Sequence, residues 1–222
     1  MLINDYYFHL RFRGGETELE DSDPSHYMYV TNGKVVGIDE AGQAAQVGRF
    51  RLSYIDVSAA INAGASVFDT FDCTQETCDY YPAIFDMETE APSPELTRLF
   101  KGDIWPGNVL ILDRLEILPE FRGHNLGLLV MRRMIERFGA GVSVVAIKPF
   151  PLQHECGRDE EGGWRQKMRL DDFDKDFRRA VAKLRRYYGK LGFKFMKGTP
   201  FMFLDAQRTL PAPSKLAVKA RP

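Results

Sequence analysis

The segment Arg122-Gly123-His124-Asn125-Leu126-Gly127 stands between an apolar strand-like run and an apolar helix-like run. Glycines at the entrance of a helix fit two readings: a plain strand-to-helix turn, or a loop whose backbone closes on a ligand. The first N–H groups of a helix beginning at Leu126 have no intrahelical acceptor and lie at the positive end of its dipole, so the loop is a ready anion site. Gly123 and Gly127 let a phosphate-bearing ligand approach the main chain without a Cβ in the way. On the preceding strand, Asp113 and Glu116 are candidate bases, and alternation sends them to opposite faces unless a bulge intervenes. Glu116 is preferred as the nearer to the proposed reaction centre. The competing reading makes both of them surface or salt-bridged carboxylates, paired with Arg114 or Arg122.

The elements around these residues are regular. NVLILDRLEIL, residues 108–118, is a strand ended by Pro119. The helix predicted over Leu126 to Phe138 confines its charges (Arg132, Arg133, Glu136 and Arg137) to one stripe, as in a helix packed on a sheet. Gly139 and Gly141 end it, and VSVVAIK, residues 142–148, reads as a strand covered on both faces. Strand, helix and strand at this spacing predict a right-handed βαβ unit with parallel strands. Pro149 and Pro151 then stop ladder pairing, so the two strands are expected to splay. A helix end beside a narrow cleft describes a site for an elongated ligand, with a diphosphate at the helix and a thin arm between the strands. That is the shape of coenzyme A.

LEILPEFRGHNLG, residues 115–127, resembles the acyl-CoA loop of the GNAT superfamily of acyltransferases, [Q/R]-x-x-G-x-[G/A] after an apolar strand and a Pro-Glu pair. Arg122 and Gly127 match; Asn125 stands at the first motif glycine, and Asn tolerates a left-handed backbone best among the other residues. LRRYYGKLGF, residues 184–193, is similar to the family's F-Y-x-x-x-G-F segment, which puts Tyr188 at its acid tyrosine. The resemblance covers residues 108–208. It implies that amides from Arg122 to Gly127 (Gly123, His124, Asn125 and Leu126 between them) hold the pyrophosphate of acetyl-CoA or another acyl-CoA. Main-chain groups around Leu115 to Ile117 would pair with the pantetheine arm, and Tyr188 would protonate the leaving thiolate. The implied fold is α/β (α+β): a mixed, mostly antiparallel sheet with a central parallel βαβ unit, splayed strands and helices on both faces. The implied activity is acyl transfer to a primary amine of a small molecule or protein, against the alternative of a non-catalytic CoA-binding sensor or partner-binding module. Read without the resemblance, Tyr188 continues an apolar helix face with Tyr187 as a core aromatic. His124 reads as a solvated loop histidine, and Gln153 and His154 are placed beside the acceptor by location alone.

The remaining chain reads as one domain over residues 1–208, with a divergent half, 1–107, and a flexible or partner-contacting tail, 209–222. Strands are expected at 6–13, 27–38 (with a hairpin turn at Asn32-Gly33) and 44–55, followed by a helical segment, 57–86, that either closes over the site or forms a dimer surface. In the family the helices come between the first two strands, so the acceptor pocket does not transfer. A polar loop spans 87–95, a second strong helix 171–190 has Asp171, Asp172 and Asp174 in its first turn, and two strands flank Gly198-Thr199-Pro200. Thirty basic against thirty-one acidic residues leave a net charge of −1, which points away from nucleic acid. No apolar stretch approaches the roughly 20 residues of a membrane span, so a soluble, cytoplasmic protein is expected. Three cysteines do not form a disulfide framework. Cys73, Cys78, His154 and Cys156 lack the spacing of a zinc site, and no metal is expected. Gly127→Glu is expected to abolish CoA binding with little loss of fold.

Overall fold

The computed structural model describes residues 6–13, 23–102, 107–155 and 163–216. Three long strands come first: β1 (Tyr6–Arg13), β2 (Met28–Asp39) and β3 (Ala44–Ile55). Asn32-Gly33 is not a turn, because β2 runs straight through it. A Cβ on Gly33 would lie 2.3 Å from the Phe50 ring, so the glycine makes room for an aromatic on the neighbouring strand. The turn between β2 and β3 is instead at residues 40–43, where Gly42 has φ +78°.

Short helices follow: α1 (Val57–Asn62), α2 (Val67–Phe71), α3 (Gln75–Cys78), α4 (Tyr81–Ile84) and α5 (Pro94–Phe100). Asp56, Ser66, Thr74 and Ser93 cap α1, α2, α3 and α5 by accepting from a backbone N–H with the side chain. Phe71, Tyr81 and Phe85 stack edge-on or face-on among themselves, which fixes these short turns by packing rather than by length. The polar loop is shorter than expected, since Ser93 already starts α5.

Next come β4 (Asn108–Ile117), α6 (Leu126–Phe138) and β5 (Val142–Ile147), then α7 (Trp164–Met168), α8 (Phe177–Gly189), β6 (Lys194–Phe195), β7 (Met202–Asp205) and α9 (Pro213–Leu216). Helix α8 begins six residues later than expected. Asp176 is its N-cap, and Asp174 precedes the helix and pairs with Lys183 instead of lying in the first turn.

The seven strands form one sheet in the order β1-β2-β3-β4-β5-β7-β6, antiparallel throughout except for the parallel pair β4–β5. The fold is therefore a mixed α/β structure with a mostly antiparallel sheet. Alternation along β4 sends Leu110 and Leu112 to one core, with α6 and Leu191, and Val109 and Ile111 to a second core, with α1, α2, α4 and α5. Helices thus cover both faces. Leu128, Met131 and Met134 on α6 are fully buried, each contributing roughly 2 kcal/mol of apolar burial.

The expected flexible tail is corrected over residues 209–216. Leu216 is buried, and Arg132 Nε donates to the Pro211 carbonyl at 2.9 Å, so this segment lies on α6. Residues 217–222 lie outside the described residues. Among the described residues no helix is long and apolar enough to cross a membrane, and no cluster of His, Cys, Asp or Glu could hold a metal. Cys156 lies outside them.

Candidate functional site

Strands β4 and β5 pair only as far as Ile111 and Ala146, although β4 continues to Ile117. The ladder ends ahead of both Pro119 and Pro149, so the prolines expected to end it are not what stops the pairing. A cavity of about 780 Å³ occupies the gap, within the range of small-ligand sites. It reaches from the first turn of α6 (Gly123, Asn125, Gly127) past β4 to Asp113 and Tyr188, and on to Thr74, Glu76 and Tyr80 from the α3–α4 segment. Segment 57–86 therefore walls the cavity with its latter part.

At the α6 end several backbone N–H groups are left without an acceptor among the described residues. Asn125 has φ 57° and ψ 19°, the left-handed conformation a glycine would take at this position. Its side chain is turned away from the helix and donates to the Leu216 carbonyl at 2.8 Å. Among the described residues no acceptor takes the N–H groups of Gly123, His124, Asn125, Leu126 or Gly127, whereas those of Leu128 and Leu129 return to the Asn125 carbonyl. The amide of Arg122 drops out of the expected set because it donates to the Pro119 carbonyl at 3.1 Å. The Arg122 side chain instead ties the site together: Nε donates to the Ile117 carbonyl at 2.7 Å, and a terminal nitrogen to the Met168 carbonyl at 2.6 Å. Its guanidinium lies over the Phe173 ring.

Gly123 and His124 are exposed, Leu126 is a core residue, and Gly127 is buried. A Cβ on Gly127 would lie 2.7 Å from the Tyr187 hydroxyl. A side chain at position 127 therefore requires Tyr187 to shift, so Gly127→Glu is expected to disturb local packing as well as CoA binding. That hydroxyl is within hydrogen-bonding reach of the Leu128 N–H, and burial pushes its pKa up to about 12.

Along β4 the free edge is built by alternation. Leu118 donates to the Val47 carbonyl at 2.9 Å, so the main-chain groups of Leu115 and Ile117 face the cleft edge. With the Ile117 carbonyl taken by Arg122, the Leu115 N–H and C=O and the Ile117 N–H have no neighbouring strand. The side chains of Leu115 and Ile117 pack on the α6 core.

The bulge weighed from alternation is present. Arg51 pairs with Arg114 and Ser53 with Ile111, so two steps along β3 face three along β4. Asp113 and Glu116 consequently share a face, and their environments separate them. Glu116 is only 3% exposed, bonded to Arg49 and Arg114, and accepts from Trp164 Nε1 at 3.0 Å. Its lone pairs are committed and it does not line the cavity, so the preference for Glu116 as the base is corrected: it is the centre of an ion-pair network. Asp113 does line the cavity and accepts from the Ser53 hydroxyl at 2.7 Å. Burial raises its pKa to about 6, against the lowering effects of Ser53 and then Arg51, with Glu76 adding to the rise.

Tyr188 is half-buried, lines the cavity and packs beside Phe193. Burial, and then Tyr187, push its pKa up and keep it protonated. Tyr80, which no motif singled out, lines the cavity, and burial, then Asp113, raise its pKa strongly, against a lowering effect of the Lys148 N–H. Ser53 and Arg51 were likewise missed; they reach Asp113 only through the β3–β4 register. Gln153 and His154 line the cavity, with Gln153 donating to the Asp174 carbonyl. The arrangement can bind an anion at one end, hold an amide-bearing chain along a strand edge, and exchange protons at the other end.

No protein-family model matches the chain, and no curated protein matches it either.

Proposed function

We propose that this protein is an acyl-CoA-dependent N-acyltransferase, moving an acyl group, acetyl in the simplest case, to a primary amine of a small molecule or protein. One observation carries the reading: a single cavity joins the residues with free amides Gly123, Asn125, Leu126 and Gly127, the unpaired edge of β4, and the Asp113–Tyr188 end. The GNAT-like loop and tyrosine segment support it. The residues present fit the co-substrate. Free amides at and just before a helix N-terminus suit a pyrophosphate, and the Leu115 main chain suits the amides of a pantetheine arm.

In this reading Asp113, with its carboxyl poised near neutrality, takes a proton from the acceptor ammonium. The neutral amine then adds to the thioester carbonyl, the new C–N bond forms, and the C–S bond breaks. The nitrogen gives its second proton to solvent, and Tyr188 donates its hydroxyl proton to the leaving sulfur and is reprotonated from solvent.

Titration calorimetry with acetyl-CoA, followed by thiol release across a panel of amines, tests the proposal. Absence of binding refutes it, and binding without release from any amine replaces it with a non-catalytic CoA-binding module. Tyr188→Phe is expected to lower turnover by about 10- to 100-fold with CoA binding retained. An unchanged rate would remove the acid assignment.

A further inference from the structure

Three arginines, Arg49 and Arg51 on β3 and Arg114 on β4, share the face of the sheet that floors the acceptor end of the cavity. Arg49 is bonded to Glu116. Arg114 is bonded to Glu116 and to Glu155. Arg51 differs. Its Nε is buried without a hydrogen-bond partner among the described residues, and its nearest carboxylate oxygen, on Asp113, is 4.0 Å away, too far for a hydrogen bond. Its side chain is 42% exposed and lines the cavity, so a planar fork of donors faces the acceptor space next to the candidate base. A guanidinium fork with free donors matches a carboxylate bidentately.

Resting on the N-acyltransferase reading, we infer that the acceptor carries a carboxylate beside its amine: it is a free amino acid, its carboxylate held by Arg51 and its amine at Asp113. The amine and carboxylate of an α-amino acid are separated by one carbon. Arg51 and Asp113 stand side by side, with Nε 4.0 Å from Oδ2, so a carboxylate on the exposed guanidinium nitrogens and an amine on Asp113 fit one small ligand, each charge meeting its opposite. The carboxylate is met by the exposed part of the guanidinium, since Nε itself is buried beside Asp113. It also sets the amine nitrogen at the carboxylate that deprotonates it, so recognition and proton transfer share one contact. A simple amine satisfies Asp113 and leaves Arg51 as it stands, and the site therefore favours the carboxylate-bearing acceptor. The transferred acyl group forms an amide on the amino-acid nitrogen as the thioester C–S bond breaks, and the carboxylate is unchanged.

The test compares kcat/KM for free amino acids and for the amines made by their decarboxylation, phenylalanine against phenethylamine for example, at saturating acetyl-CoA. The wild type is expected to favour the amino acid, and Arg51→Met to collapse that selectivity by about 10- to 100-fold, mainly through KM, with Arg51→Lys intermediate because it keeps the charge and loses the fork. Calorimetry with acetyl-CoA on each variant checks that the co-substrate end is intact. Turnover of the decarboxylated amines at equal or greater efficiency would overturn the amino-acid assignment while leaving the acyltransferase reading in place. So would equal losses on both substrate types in Arg51→Met.

Discussion

Replacing Asp113 by Asn keeps the shape of the side chain and the carbonyl that can accept from Ser53, and removes the charge. In the native protein the carboxyl is raised from 3.8 to about 6, chiefly by burial, with the side chain 15% exposed. A rise of about two units corresponds to roughly 3 kcal/mol favouring the protonated form in the folded state. Because the folded pKa lies above the unfolded one, the folded chain binds more protons between the two values. This stabilising contribution is fully present below pH about 3.8 and is lost as pH rises through about 6. Urea unfolding of wild type and Asp113→Asn, repeated from about pH 4 to about pH 7.5, reads it directly. Wild type is expected to lose up to about 3 kcal/mol relative to the variant across that window, with most of the change below pH 7. Parallel stability curves would refute the account, because an Asp113 titrating at its ordinary value would leave no differential slope above pH 5. The result does not depend on what the cavity binds.

Further outcomes follow from the neighbouring residues. Glu116→Gln leaves Arg49 and Arg114 side by side without their shared counter-charge, so chemical denaturation should show a loss of about 2–3 kcal/mol. Turnover per folded molecule should persist; a fall in kcat at unchanged stability would return Glu116 to the reacting centre. Gly127→Ala is expected to destabilise by about 1–3 kcal/mol through overlap with the Tyr187 hydroxyl. Tyr187→Phe in the same background should recover part of that loss, measured as a non-additive double-mutant cycle.

The segment from Asn108 to Ile147 was legible because its signals are local: a strand ended by proline, a helix with one charged stripe, and a continuous apolar strand. There α6 begins and ends where its periodicity places it. The left-handed Asn125 was legible too, since the motif demands that conformation and Asn tolerates it. Glu116 was misjudged for the opposite reason. Its fate is set by Arg49, 67 positions earlier, and by Trp164, 48 positions later, and a strand sequence read alone carries neither partner. The bulge that brings Asp113 and Glu116 to one face is a property of two strands in register, as is the closeness of Ser53 and Arg51 to Asp113. Asn32-Gly33 carries a strong hairpin signal, yet the Phe50 ring across the pair needs a residue without a side chain more than the chain needs a turn. Proline and basic residues in the tail pointed to disorder, but Leu216 found a hydrophobic seat that composition alone does not reveal.

The bond from the Asn125 amide to the Leu216 carbonyl spans 91 positions of sequence. It joins the turn that opens α6 to α9, so a change in one is expected to be felt in the other. By reciprocity, a ligand that stiffens this turn stiffens α9 to the same thermodynamic extent, and loosening α9 weakens that ligand by an equal factor. Amide exchange at Ser214, Lys215 and Leu216 is thus expected to report remotely on the mouth of the cavity.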